Sequence, residues 1–435
     1  MSKQLKLVVI GGGSSYTPEL IEGLINNYEQ FPVTDLHLVD IESGREKLQI
    51  VSGLAKRMIE KAQLPIQLHV SFDRKKSLEN ADFVCTQIRV GGLKARANDE
   101  RIPLEHNRIG QETTGAGGFA KALRTIPVIL NICRDMEEVA PNATLINFTN
   151  PASIITEAVN KYSNIKSIGL CNLPIGIKMQ VAQTLKVDVS QIDIEMIGIN
   201  HLNWTRQICL NGKDVTMEVI EKISQNGGLM VKNIPEMDMG HDFVMSLGML
   251  PCSYLTYYYL QDGMLKDQLT SLKEEGIRAE VVMKAEQALF NLYKNPQLNV
   301  KPQQLEERGG AYYSDAAIHL MTSIYNDYGD LQVVNVRNGG TIECLDDDAT
   351  IEVKCVINKN GATPLPLSQP IPNEIRGLLQ IVKNYETLTV ESSIQKSYAL
   401  ALHALSTHPL VNSVPVARSI LDDFIKVNES YFSLN

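Results

Sequence analysis

The chain opens with KLVVIGG, an unbroken apolar run that ends in glycines. Runs that are apolar throughout mark strands buried on both faces of a sheet. Others follow at DLHLVD (35–40), IQLHVS (66–71), ADFVCTQIRV (81–90), TLINFTNP (144–151) and SIGLCN (167–172). Between them the spacing turns helical. Thr17, Pro18 and Glu19 read as N-cap, N1 and N2 of a helix reaching about Asn27. Further helices are predicted from Ser43 to about Lys61, from about Ala116 to Val139, and from Pro151. Strands alternating with helices predict a parallel sheet with right-handed crossovers.

From about Ile192 the pattern changes. IEMIGIN and TRQICLNG predict two consecutive strands. Long helical tracts follow at roughly 240–260, 276–294, 310–328, 372–387 and 392–406. The short strands QVVNVRN, TIECL and TIEVKCV lie between them. The expectation is an α/β domain over 1–195 and an α+β domain over 196–435 for substrate binding and subunit contacts. With no Ser/Gly linker and no repeat, the two are expected to pack tightly.

Composition narrows the class. At 435 residues the chain is too long for one ordinary core. A net charge of −9 argues against an electrostatic grip on nucleic acid or an anionic membrane. The first apolar run is too short for a signal segment, and no later stretch has the length of a membrane span. The seven cysteines are odd in number and form no CxxC pair. Reduced thiols and a cytoplasmic location are expected.

The stretch VVIGGGSSYTPEL joins a strand to a helix through Gly11, Gly12, Gly13, Ser14 and Ser15. Glycines let the backbone approach a pyrophosphate, and a helix N-terminus offers unpaired N–H groups and partial positive charge. Gly11 and Gly13 match the first two positions of GxGxxG, and Tyr16 stands at the third. Asp40 ends the second strand, where a carboxylate holds the ribose hydroxyls of NAD and disfavours NADP. The 27 residues from Gly13 to Asp40 exceed the usual spacing of about 20. A Gly-rich structural turn is the alternative reading.

Two further strand ends carry unusual side chains: Cys171 in SIGLCNLP and His201 in MIGINHLN. An apolar-flanked cysteine is more often buried filler than a ligand. Paired with an imidazole, a thiolate would form a metal site with open positions, and its softness would suit zinc.

The motifs GGGSSYTPEL, RVGGLKARANDE, GQETTGAGG, NFTNP, GLCNLP, GINHLN and SYLTYYY occur in this order. Together they resemble glycoside hydrolase family 4, most closely its 6-phospho-β-glucosidases, over nearly the whole chain. The resemblance implies a Rossmann-like, lactate/malate-dehydrogenase-like N-terminal domain that binds NAD. It implies a divalent metal, typically Mn2+, on Cys171 and His201, and Tyr254 as catalytic base with Tyr257 as its fallback. Glu112 matches a position that raises this tyrosine's basicity. Arg89, Arg96, Asn150 and Arg278 are the implied substrate contacts, arginine suiting a sugar phosphate by its bidentate donors.

The implied substrate is a phosphorylated disaccharide or aryl 6-phospho-β-glucoside. Its carbon 3 gives hydride to NAD, and Tyr254 removes the proton on carbon 2. The aglycone leaves carbon 1, water adds, and the hydride returns. Ordinary glycosidases use two carboxylates instead. Asn172 follows the ligand cysteine where α-glucoside members carry an acidic Asp, so it favours the β branch. A homodimer or homotetramer is expected. Two other functions fit the N-terminal half: an NAD-dependent 2-hydroxy acid dehydrogenase, and a non-catalytic NAD-sensing regulator.

Overall fold

The computed structural model describes residues 4–229, 234, 237–308 and 313–435. Six parallel strands form the frame: β1 (Lys6–Ile10), β2 (Asp35–Val39), β3 (Gln67–Ser71), β4 (Phe83–Thr86), β5 (Thr144–Asn147) and β6 (Ser167–Gly169). Their spatial order is β3-β2-β1-β4-β5-β6. This is the doubly wound order of dinucleotide-binding sheets, with its switch point between β1 and β4. β1, β4 and β5 read as solid apolar runs because they sit in the middle of the sheet and are buried on both faces. The edge strand β3 is mostly exposed.

A second sheet holds β7 (Ile192–Ile199), β8 (Leu202–Leu210), β9 (Lys213–Asp214) and β10 (Leu250–Pro251). Strands β11 (Asp330–Arg337), β12 (Thr350–Asn358) and β13 (Gly361–Pro364) then return to the first sheet. They extend it antiparallel beyond β6, with Asn335 opposite Gly169. One contiguous apolar core runs from Leu5 to Phe424 and draws on both halves of the chain.

Several local expectations are corrected. The first helix is Thr17–Asn26, with Tyr16 at the N-cap position and no side-chain cap bond. Thr17 is inside it, its hydroxyl donating to the Gly12 carbonyl at 2.9 Å. β4 ends at Thr86, and the chain leaves the sheet to turn through Gly91 and Gly92, both with positive φ. The helix that follows, Gly92–Glu105, has little apolar periodicity, because it buries Asp99 and Glu100. Each has a partner far away in sequence: Arg124 for Asp99 and the Ala279 N–H for Glu100. TIECL is a loop and no strand. The buried Asn338 amide donates to the carbonyls of Ile342, Leu345 and Asp346, replacing the bonds a neighbouring strand would make. The tract expected at 240–260 is broken into His241–Leu247, β10 and the short turn and helix over 253–259. The tract expected at 392–406 breaks at Lys396, which takes left-handed backbone before helix Tyr398–Thr407. The tract expected at 310–328 is helical over Tyr313–Asn326, with 310–312 outside the described residues.

Candidate active site

The carboxyl ends of the parallel strands converge on one face. The glycine loop leaves β1 there, with Gly11 at φ 88°. The Gly11 and Gly12 amides both donate to the Val39 carbonyl at 2.9 Å. A Cβ on Gly11 would sit 2.8 Å from the Gln87 carbonyl, and one on Gly12 would sit 2.8 Å from Leu38 Cβ. The absence of side chains is therefore required by the packing of β1 against β2 and β4. Asp40 Oδ2 accepts the Gly13 N–H at 2.9 Å, which fixes the carboxylate beside the loop. The Ser15 hydroxyl is buried without a hydrogen-bond partner among the described residues. A strand–glycine loop–helix unit with an adjacent carboxylate and an orphaned hydroxyl fits the diphosphate and ribose of NAD.

Cys171 lies two residues beyond β6, and His201 lies in the two-residue turn between β7 and β8. The turn places His201 at φ 64°, unusual for a residue with a side chain. Cys171 Sγ and His201 Nε2 are 3.7 Å apart. An ion at about 2.1 Å from nitrogen and about 2.3 Å from sulfur would see these donors at about 114°, so the pair fits a shared metal. Thr113 Oγ1 lies 3.0 Å from His201 Nδ1 and holds the ring with Nε2 toward the sulfur. Burial pushes the Cys171 thiol up to about 12, and burial with the nearby Lys121 charge holds His201 down at about 3. The imidazole is thus neutral and ready to ligate, and the thiol needs a cation to ionise.

The Tyr254 ring stacks on His201, centroids 3.6 Å apart and planes within 6°. Burial, then Cys171, Tyr257 and Glu112, keeps its phenol well above the ordinary value. Tyr257 lies with its ring centroid 6.4 Å from that of Tyr254, in a cluster with Ile109, Met264 and Leu410 against which Tyr254 also packs. Of the two tyrosines, Tyr254 is the one that stacks on His201.

Glu112 sits among three cations. It receives Arg89, Arg96 Nη1 at 2.9 Å and Lys121 Nζ at 2.9 Å. Burial opposes its ionisation, and these charges still hold the carboxyl well below its ordinary value. Arg96 also donates to Glu100 at 2.7 Å, so two of its nitrogens already face carboxylates. Arg89 is the more open of the two, its side chain 30% exposed against 12%. Arg278 begins the helix Arg278–Tyr293, and the next N–H, on Ala279, donates to Glu100 at 2.7 Å. The start of this helix and Arg96 thus meet at the Glu100 carboxylate. Asn150 follows β5 at a cis Asn–Pro bond, its Oδ1 accepting the Ala152 N–H. Asn172 occupies the N-cap position of helix Leu173–Leu185, beside Cys171.

Lys121 and Thr113 escape a reading of residue types alone. Both lie in GQETTGAGGFAK, and nothing in their spacing shows that one contacts Glu112 and the other His201. Among the described residues, the one group of three side chains with metal-ligating atoms close together is Asp35, His37 and His69. It lies on β2 and β3 beside Lys6, away from the carboxyl-end loops that carry Cys171 and His201.

Residues 6–187 match the profile described as family 4 glycosyl hydrolase, and residues 196–411 match that family's C-terminal domain. A Bacillus subtilis (strain 168) protein named "Probable 6-phospho-beta-glucosidase" is 51% identical, covering 99% of this chain and 98% of its own. The 6-phospho-beta-glucosidase of Escherichia coli (strain K12) is 44% identical over 99% of this chain and 97% of its own. The 6-phospho-beta glucosidase of Thermotoga maritima, solved with NAD and glucose-6-phosphate, superimposes with a TM-score of 0.90 at 36% identity, covering 100% of both chains. The same enzyme with manganese, NAD+ and glucose-6-phosphate gives 0.89 at 34% identity, covering 99% of this chain and 100% of its own. A dinucleotide-type sheet and a cysteine–histidine pair, in a chain matched by both family profiles, place this protein in the family 4 glycosyl hydrolases.

Proposed function

We propose that the chain is a 6-phospho-β-glucosidase. It hydrolyses 6-phospho-β-glucosides such as cellobiose 6′-phosphate to glucose 6-phosphate and the aglycone, by NAD-dependent redox–elimination–addition. The observation that carries this reading is Tyr254 stacked on His201, whose Nε2 faces the Cys171 sulfur, in a chain whose first strand ends in a dinucleotide-type glycine loop. A dehydrogenase acting on a 2-hydroxy acid has no use for that thiol. The names of the similar enzymes and their bound NAD, manganese and glucose-6-phosphate support the same substrate and cofactors.

Bound at these sites, NAD supplies a reversible hydride acceptor and the divalent ion a Lewis acid. The protein's part is binding, orientation and proton movement. Gly11, Gly12, Gly13, Ser14 and Ser15 line the diphosphate, and Asp40 accepts from the ribose. Cys171 Sγ and His201 Nε2 hold the ion, with Thr113 fixing the imidazole. Arg89, Arg96 and Arg278 bind the sugar phosphate, and Asn150 a sugar hydroxyl. The Tyr254 oxygen takes the proton from carbon 2. Glu112 adds negative potential that raises the basicity of that oxygen. The Asn172 amide can orient the leaving group and cannot protonate it as an acid, which suits the β-glucoside branch.

We place the enzyme in the cytoplasm as a homodimer or homotetramer, since reduced thiols and a phosphorylated sugar belong to that compartment. No helix among the described residues is long and apolar enough to cross a membrane. The deciding assay is hydrolysis of an aryl 6-phospho-β-glucoside, with and without NAD+ and Mn2+, alongside the α-anomer. Turnover of the β-anomer that needs both additions and accumulates no NADH is expected. Net NADH formation would mark a dehydrogenase instead.

A further inference from the structure

Glu352 is fully buried in the middle of β12, and among the described residues no lysine, arginine or histidine pairs with it. A carboxylate so placed is costly unless its lone pairs are filled. Three asparagine amides fill them. Asn200 Nδ2 donates to Oε1 at 2.9 Å, Asn335 Nδ2 to Oε1 at 3.0 Å, and Asn203 Nδ2 to Oε2.

These three asparagines are not scattered. Asn200 and His201 are the two residues of the turn joining β7 to β8, and Asn203 is the second residue of β8. Glu352 therefore clamps the turn on both sides of His201, the position held in left-handed backbone. Asn335 stands opposite Glu352 across β11 and β12, and its amide also donates to the Gly169 carbonyl at 3.4 Å. Gly169 ends β6, two residues before Cys171. One carboxylate, from a strand at least 150 residues away in sequence from either ligand, thus ties together both segments that supply Cys171 and His201.

We propose that Glu352 is a positioning residue for the metal-binding pair. Through Asn200, Asn203 and Asn335 it sets the spacing of Cys171 Sγ and His201 Nε2. A carboxylate suits this role because it only accepts, and three donors converge on it. A glutamine would turn an N–H2 toward at least one of those amides. The inference rests on Cys171 and His201 being the metal ligands.

The test uses full-length protein stripped by a chelator. Free Mn2+ is measured by electron paramagnetic resonance during titration. Co2+ is followed through its thiolate-to-metal charge-transfer band, which reports the bond to Cys171 directly. Glu352→Gln should raise the Kd for Mn2+ by about 10- to 100-fold, as losses behind the ligands commonly do. The cobalt band should weaken, and NAD affinity should stay within twofold. Lowered thermal stability with a Kd for Mn2+ within twofold would make Glu352 merely structural and overturn the proposal. If Glu352→Gln does not fold, Asn200→Ala decides. That change cuts the link from Glu352 to the residue before His201 and leaves Glu352 with Asn203 and Asn335, so an unchanged Kd overturns the proposal equally. If the unsubstituted chain binds neither ion, the metal assignment itself has failed and this inference falls with it.

Discussion

Glu112→Gln removes one charge from the centre of the site and keeps the shape. The three cations around it lose different amounts. Arg89 keeps solvent, its side chain being 30% exposed, and Arg96 keeps Glu100. Lys121, 4% exposed, is left without a carboxylate. Stranding one member of a buried pair usually costs about 3–5 kcal/mol. Lys121 has an escape that caps its share. Burial and Arg89 already hold it down to about 8, against the raising effect of Glu112, so shedding its proton at pH 7 costs only about 1.4 kcal/mol. With about 1 kcal/mol lost at each arginine, the expected destabilisation at pH 7 is about 3 kcal/mol.

The pH dependence is the sharper signature. In the unsubstituted chain Lys121 is protonated below about pH 8 both folded and unfolded, so it adds no slope there. In the variant burial and the guanidiniums, all lowering, outweigh Asp99, whose carboxylate is already held by Arg124, and Lys121 folds neutral. The unfolded variant then binds one more proton than the folded one, and its stability rises with pH. The gap between the two proteins should shrink by about 2 kcal/mol from pH 6 to pH 8. Glu112, held well below its ordinary value, does not titrate in that window. Paired urea denaturation curves at the two pH values measure this. A gap that stays constant, or widens with pH, would refute the coupling of Lys121 to Glu112.

Tyr254→Phe should abolish hydrolysis of an aryl 6-phospho-β-glucoside while NAD and Mn2+ bind as before; activity within tenfold would remove Tyr254 as the base. Asn172→Asp supplies an acid beside Cys171 and should raise the ratio of α- to β-anomer hydrolysis; an unmoved ratio would sink the stereochemical reading. Gly12→Ala forces a Cβ to 2.8 Å from Leu38 Cβ and should destabilise the fold by about 1–3 kcal/mol, read by thermal unfolding without ligand. A neutral result there would mean that β1 and β2 can separate to admit the methyl group.

The sequence alone determined the six-strand frame and the landmarks at its edge. Strands buried on both faces are recognisable because every position is apolar, and a glycine loop followed by a helix start is a local signal. Cys171 and His201 were legible as side chains placed where strands end. Only the tertiary structure decided what those side chains meet. β11 to β13 join the first sheet beside β6, and nothing local in QVVNVRN or TIEVKCV names that partner. The helix Gly92–Glu105 was hidden because its buried charges are satisfied by Arg124 and Ala279, which are distant in sequence. The sequence favours Tyr254 with Tyr257 as fallback, and the 3.6 Å stack that Tyr254 makes on His201 appears only in the packed structure. Lys121, Thr113 and Glu352 take their meaning from contacts 9 to 152 residues apart in the chain. Periodicity reports which face of an element is buried; which charge meets which, and at what distance, is set only when the elements pack.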